Sequence, residues 1–246
     1  MKKQSVRLAE KRIKTAKYIM ECLKHITISF WGRALPRKRC SPKQKERKLC
    51  IKMKKIIFAT GNQGKMKEVR EILKDLDAEV LSMKEAGVQA DIVEDGTTFE
   101  ENAVIKAKAV CRLTGEIALA DDSGLEVDYL NKEPGVYSAR YMGEDTSYHI
   151  KNKSIIDRLE GVPDEKRTAR FVCVIAAAFP DGTVKTVRGT MEGIIGYEEQ
   201  GENGFGYDPI FFLPQYGCTS AQISMEEKNK ISHRGKALRA IKDELR

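Results

Sequence analysis

Ile56-Ile57-Phe58-Ala59-Thr60-Gly61-Asn62-Gln63-Gly64-Lys65 is the stretch from which the rest of the chain can be read. Its apolar start reads as a buried strand, and Met66, Val69, Ile72, Leu73 and Leu76 follow at helical spacing. A strand, a tight turn and a helix therefore follow one another. Such a turn presents backbone N–H groups at a helix N-terminus, where the macrodipole favours negative charge, and Lys65 adds a full positive charge. The guest this chemistry suits is a phosphate. The stretch is not a P-loop, because Met66 stands where Ser or Thr is required and the first glycine lies too close to the lysine. An ordinary strand-to-helix turn with a surface lysine fits the same residues.

The chain has 246 residues, 33% charged and 41% apolar, enough for one good-sized core or two small ones. No apolar run approaches the roughly 20 residues that span a bilayer, so no membrane segment is expected. The six cysteines (Cys22, Cys40, Cys50, Cys111, Cys173 and Cys218) are scattered without a CxxC pair, which suits reduced thiols in the cytoplasm.

The net charge of +8 is a sum of two unlike parts. Residues 1–55 hold 19 Lys or Arg against Glu10, Glu21 and Glu46, or +16, which leaves −8 for residues 56–246. Residues 1–52 thus form a basic N-terminal extension, with blocks at Arg37-Lys38-Arg39 and Lys43 to Lys48 that lack core-forming side chains. Three readings fit it: a basic arm for nucleic acid or an anionic membrane surface, a targeting peptide, or an upstream extension that the fold does not use. The third is favoured, since Met53-Lys54-Lys55 stands immediately before the first strand, where a start methionine is expected. The domain is then residues 53–246.

Along that domain, Ala78 to Leu81 reads as a short strand, and the acidic stretch Asp91 to Gly96 leads to a helix. Thr97 with Glu100, or Thr98 with Glu101, offers it a capping box, and Gly115 ends it. Glu94 lies on the loop just ahead, where it can face a site or stand as a solvated loop acid. Ile117 to Ala120 reads as a short buried strand that runs into Asp121-Asp122-Ser123-Gly124. Two adjacent carboxylates there raise each other's pKa unless a cation lies between them, so with Glu94 they suggest a magnesium site beside a nucleotide. The alternative is that one of the acids only caps a turn at Ser123-Gly124. Leu125, Val127 and Tyr129 alternate as a half-wet strand, Arg140 lies in the loop that follows, and a helix is expected from Asp145 to Leu159. Phe171 to Phe179 and Val184 to Val187 form a hairpin about Pro180-Asp181-Gly182-Thr183, which makes the sheet mixed.

Gly204-Phe205-Gly206-Tyr207-Asp208-Pro209 lacks the spacing and setting of a dinucleotide fingerprint. Glycines flanking Phe205 and Tyr207 instead let a ring stack on a planar ligand, although a tight turn with core aromatics reads the same way. His233 and Arg234, beside a closing helix with Ala237, Leu238 and Ile241 inward, offer donors to carbonyl or phosphate oxygens, although by themselves they read equally as a surface or capping pair.

Together, Ala59 to Lys65, Ala120-Asp121-Asp122-Ser123-Gly124-Leu125, Gly204 to Pro209 and Ser232-His233-Arg234-Gly235 resemble the inosine triphosphate pyrophosphatase family, the Ham1-like or RdgB-like enzymes. The resemblance runs from Met53 to the C-terminus. It implies an elongated mixed α/β sheet with flanking helices that form two lobes around a nucleotide cleft, and a homodimer. It further implies Mg²⁺-dependent hydrolysis of ITP, dITP and XTP to the monophosphate and pyrophosphate. By the same resemblance Thr60, Gly61, Asn62, Gln63, Gly64 and Lys65 hold the phosphates, and Asp122 is both metal ligand and base, with Glu94 completing the metal site and Asp121 helping. Ser123 and Lys228 touch the nucleotide, Phe205, Gly206, Tyr207 and Asp208 line the base pocket, and His233 with Arg234 meets the 6-oxo group. A Maf-like house-cleaning pyrophosphatase and a nucleotide- or nucleic-acid-binding protein using the basic arm are the competing expectations.

Overall fold

The structure, a computed structural model, describes residues 54–245, and the expectations for residues 1–52 lie outside them. Seven strands form one mixed sheet in the order β2-β1-β3-β4-β5-β6-β7. Strands β1 (Lys54–Phe58) and β2 (Ala78–Ser82) pair parallel, as do β1 and β3 (Ile117–Val127). Strands β4 (Thr168–Ala178), β5 (Val184–Ile195), β6 (Phe211–Leu213) and β7 (Cys218–Thr219) continue antiparallel.

Helix α1 (Gln63–Leu73) follows β1 directly. Ile56 and Phe58 point to one face and pack with Met66, Val69 and Leu73 of α1, whereas Ile57 points to the other. The period of two in the strand thus assigns neighbours to opposite layers. The second face is covered by α2 (Phe99–Thr114), which buries Phe99, Ala103, Ala107 and Val110 at helical intervals. Thr98 caps it by accepting from the Glu101 N–H at 3.1 Å, and Gly115 closes it in the left-handed region at φ 68°. Of the two expected capping pairs, Thr98 with Glu101 is therefore the one formed.

Strands β3, β4 and β5 have 11, 11 and 12 residues, a reach of about 36 Å or more, and run through two separate cores. One end of them is sandwiched between α1 and α5 (His233–Glu244) on one face and α2 on the other. The far end contributes Leu125, Val127, Ala169, Phe171, Met191 and Ile195 to a core with Phe211, Leu213 and α3 (Tyr148–Arg158). These are the two lobes of an elongated α/β sheet. The short helix α4 (Met225–Ile231) precedes α5.

Three expectations change. The expected break at Asp121 to Gly124 is absent, because β3 is a single strand from Ile117 to Val127 that includes both acids. The expected strand residue Tyr129 lies in a single 3-10 turn, Asp128–Leu130. Helix α3 begins at Tyr148, capped by Ser147, because Ser147 and not Asp145 supplies the side-chain acceptor. Among the described residues no helix is long and apolar enough to cross a membrane.

Candidate active site

Strand β1 registers against β3 only as far as Leu119, and Ala59 N–H closes the pairing by donating to the Leu119 carbonyl at 2.7 Å. Beyond, at Leu125, the same edge of β3 is covered by the loop from Pro134, where Ser138 Oγ accepts from the Leu125 N–H at 2.8 Å. Between these points lies a window at Asp121 to Ser123. Clefts at the carboxyl ends of parallel strands are the usual ligand sites of such sheets.

The continuous strand separates the two acids. Asp121 is buried on the α1 and α5 side, where Lys65 Nζ donates to Oδ2 at 2.9 Å and to Oδ1 at 3.1 Å. Arg234 donates from Nε and Nη2 to the same Oδ2 at 3.3 Å each, and Ser123 Oγ donates to it at 3.2 Å. The free nitrogen of Arg234, Nη1, donates to Glu68 at 3.1 Å. Burial alone would raise the Asp121 pKa, but the charges of Lys65, Arg234 and Lys106 outweigh it and hold the carboxyl well below its usual range.

Asp122 faces α2 instead. Lys106 Nζ lies between Glu94 Oε2 at 2.8 Å and Asp122 Oδ1 at 3.4 Å, and Asn102 Nδ2 donates to Asp122 Oδ2 at 3.3 Å. Burial raises the Asp122 pKa and Glu94 adds to it, against the pull of Lys106. The expectation that the two acids sit side by side and share one cation is thus corrected: each has its own ammonium on its own face. Lys106, Asn102 and Glu68 were not singled out from sequence. Asn102 and Lys106 are four apart on α2, a spacing that puts both on one helical face.

The phosphate turn also differs from its simplest reading. Asn62 caps α1 and accepts from the Gly64 and Lys65 N–H groups at 2.8 and 3.2 Å, while Asn62 N–H donates to Thr60 Oγ1 at 3.1 Å. An Asn cap occupies the donors a phosphate would use, so the turn holds its own shape, and the half-buried Lys65 ammonium, paired with Asp121, is the cation it brings to the cleft.

A cleft of about 830 Å³ opens on the Asp121 side. Thr60, Gly61, Asn62, Gly64, Lys65 and Ser123 line one end, and Phe205, Gly206, Tyr207, Asp208, Lys228, His233 and Arg234 the other. Gln63, Asp122 and Glu94 do not line it.

At the second end Phe205 is 56% exposed, with Lys228 Nζ and the Arg234 guanidinium 5.4 and 6.0 Å from its ring centroid. Tyr207 and Asp208 are buried and serve the loop: the Tyr207 hydroxyl donates to the Ser138 carbonyl, and Asp208 accepts from the Phe205 N–H, Ser220 Oγ and Lys228 Nζ. Gly204, at φ 78°, allows this, for a Cβ there would stand 2.3 Å from Asp208 Oδ2. His233 stacks on Phe171 at 5.0 Å, and its Nδ1 is buried without a hydrogen-bond partner among the described residues. Burial, then the charges of Arg234 and Lys228, push the imidazole well below its ordinary pKa, so it is neutral at pH 7. Arg140, the other loop cation, lies 4.9 Å from the Tyr137 ring centroid.

The profile of the Ham1 family matches residues 56–244. The chain belongs to the Ham1 family. A dITP/XTP pyrophosphatase of Desulforamulus reducens is 52% identical over 185 residues, covering 75% of this chain and 92% of that protein. One from Clostridium perfringens is 48% identical over 200 residues, 79% of this chain and 98% of the relative. Among solved structures, a HAM1 protein from Coxiella burnetii superposes with a TM-score of 0.73 at 42% identity, over 78% of this chain and 98% of that one. The Staphylococcus aureus Ham1 protein gives 0.72 at 43% identity over the same shares. These Ham1 relatives match nearly end to end, so the mixed-sheet fold with its flanking helices is the family's.

Proposed function

We propose that this Ham1 family member is a nucleoside triphosphate pyrophosphatase that hydrolyses non-canonical purine nucleotides (ITP, dITP and XTP) to the monophosphate and pyrophosphate. The observation that carries the reading is the cleft with Lys65 at one end and an exposed Phe205 ring beside Arg234 and His233 at the other. It combines a cation for phosphates with a stacking face and donors for a 6-oxo purine. Identity near 50% to dITP/XTP pyrophosphatases supports the same reading.

Mg²⁺ is the proposed metal. Among the described residues no group of three or more His, Cys, Asp or Glu could hold a metal ion. Mg²⁺ commonly takes one or two carboxylates and completes its shell with water and substrate phosphate. Glu94 and Asp122 fit that role, since they already converge on one positive group, the Lys106 ammonium. When bound, the metal would neutralise phosphate charge and make a water more acidic.

The chain's own residues supply the rest. A triphosphate laid across the window at Asp121 to Ser123 has Lys65 and Ser123 on one side and Asp122 with Lys106 on the other. Asp122 accepts the proton of the water that attacks the α-phosphorus, and the bond to the β-phosphate oxygen breaks to release pyrophosphate. Asp121 fixes Lys65 and Arg234, which ties the phosphate end to the base end. His233 and Arg234 donate to a 6-oxo group and leave adenine's 6-amino group facing another donor, a mismatch that can reach 10⁴-fold or more in discrimination.

The proposal extends to a cytoplasmic homodimer in which residues 1–52 are dispensable for turnover. The described cysteines, Cys111, Cys173 and Cys218, are free thiols, in keeping with a reducing compartment. Pyrophosphate release from ITP, XTP, dUTP and GTP tests the activity and separates it from a Maf-like preference.

A further inference from the structure

The buried residues of α3 are Lys151, Asn152 and Ile155, the first two only 1% exposed. Helices commonly bury an apolar stripe, and a lysine or asparagine taken from water is costly unless its polar atoms find partners. Each side chain places one donor on a residue that lines the cleft. Lys151 Nζ donates to the Ala139 carbonyl at 2.6 Å. Asn152 Nδ2 donates to the Gly206 carbonyl at 3.2 Å and to Glu199 Oε1 at 2.6 Å, while its Oδ1 has no hydrogen-bond partner among the described residues.

Tyr148, one turn earlier, packs edge-on against Tyr207 with centroids 5.3 Å apart, and Tyr207 reaches across to the Ser138 carbonyl at 2.7 Å. The first turns of α3 therefore hold two cleft-lining segments that lie far apart in sequence, Ser138-Ala139 and Gly206-Tyr207. Gly206 sits at φ 71°, a region that glycine alone enters without cost and can leave as readily. The bond from Asn152 fixes the Gly206–Tyr207 peptide group, one residue on from Phe205, whose exposed ring is the stacking face.

We propose that Asn152 is a positioning residue for the base end of the cleft and that Lys151 does the same for the facing wall at Ala139. The inference rests on the reading that the Phe205 to Asp208 segment receives the base. Neither residue reaches Lys65 or Asp122 through any of these contacts, so each acts on how the nucleotide is held and not on the chemical step.

Asn152→Ala and Lys151→Met test this in the full-length protein, through ITP kinetics, Tm, and hydrogen exchange of residues 203–208 and 138–141. Asn152→Ala is expected to raise KM for ITP about tenfold, the scale of one lost hydrogen bond, with kcat close to the parent's and faster exchange at 203–208. Lys151→Met replaces a buried cation with an apolar chain of similar length, and is expected to raise KM and speed exchange at 138–141. A variant set with lowered Tm but parental KM and parental exchange overturns the proposal, as does an equal fall in kcat. Should Asn152→Ala fail to fold, Lys151→Met decides by the same readouts. Absence of ITP turnover in the parent would sink the functional reading alone, and the exchange rates would still decide whether Asn152 and Lys151 hold these loops.

Discussion

Asp121 and Asp122, consecutive in β3, turn their carboxylates to opposite faces of the sheet, Asp121 to Lys65 and Arg234 and Asp122 to Lys106. Neighbours so alike in sequence therefore have separable roles, and their variants separate them. Asp122→Asn is expected to lower ITP turnover roughly 10²- to 10⁴-fold with Tm near the parent's. Asp121→Asn leaves Lys65 and Arg234 without their shared buried counter-charge and is expected to cost about 3–5 kcal/mol of stability. Steady-state rates and denaturant melts on both variants check the pair, and the reverse pattern would exchange the assignments.

Lys106 pulls the Asp122 pKa down while burial and Glu94 push it up. Lys106→Met removes the downward pull, so Asp122 binds its proton at higher pH and cannot act as base there. The acid limb of the pH profile for kcat/KM is expected to move to higher pH. A limb that stays in place would show that Asp122 does not set it.

His233 is neutral in the fold and its pKa lies well below the ordinary 6.5. Below that pH the unfolded chain binds a proton that the folded chain refuses, so stability rises with pH through this range and falls on acidification. Thermal melts from pH 7.5 to 5.5 check it: His233→Asn is expected to show a flatter acid side than the parent, and equal slopes would refute the burial of a neutral ring.

Asn62 caps α1 and shapes the phosphate turn, and Asn62→Ala is expected to lower stability by about 1 kcal/mol. A melt showing no change would mean the cap adds nothing.

Much of this was legible because it is local. The apolar run at Ile56 to Phe58 and the helical spacing of Met66, Val69 and Leu73 each fall within one element, and the structure forms β1 and α1 there. The hairpin about Asp181-Gly182 announced itself by turn chemistry in the same way, although β5 runs on to Ile195. The strand continues through Asp121 and Asp122 where an end is expected, because Ser123-Gly124 reads like a turn. Gly124 is needed for another reason: a Cβ there would meet the Gly135 carbonyl at 2.4 Å, a contact between residues distant in sequence. The same distance hides Lys106 against Asp122, Glu68 against Arg234 and Asn152 against Gly206, since tertiary packing alone pairs them.

A chain shortened to begin at Met53 is expected to keep the parent's Tm and turnover, since the Ham1 match begins at Ile56. Loss of folding or of all activity would refute the view that residues 1–52 are dispensable. Salt-sensitive DNA binding that disappears with them would give the segment a separate role.

Pyrophosphate release from ITP, XTP, dUTP, GTP and ATP, with and without Mg²⁺, tests the central claim most directly. Rapid release from ITP and XTP that requires the metal, with ATP poorest among the purines, is the predicted result. Turnover confined to dUTP, or no metal-dependent release from any of the five, would contradict it.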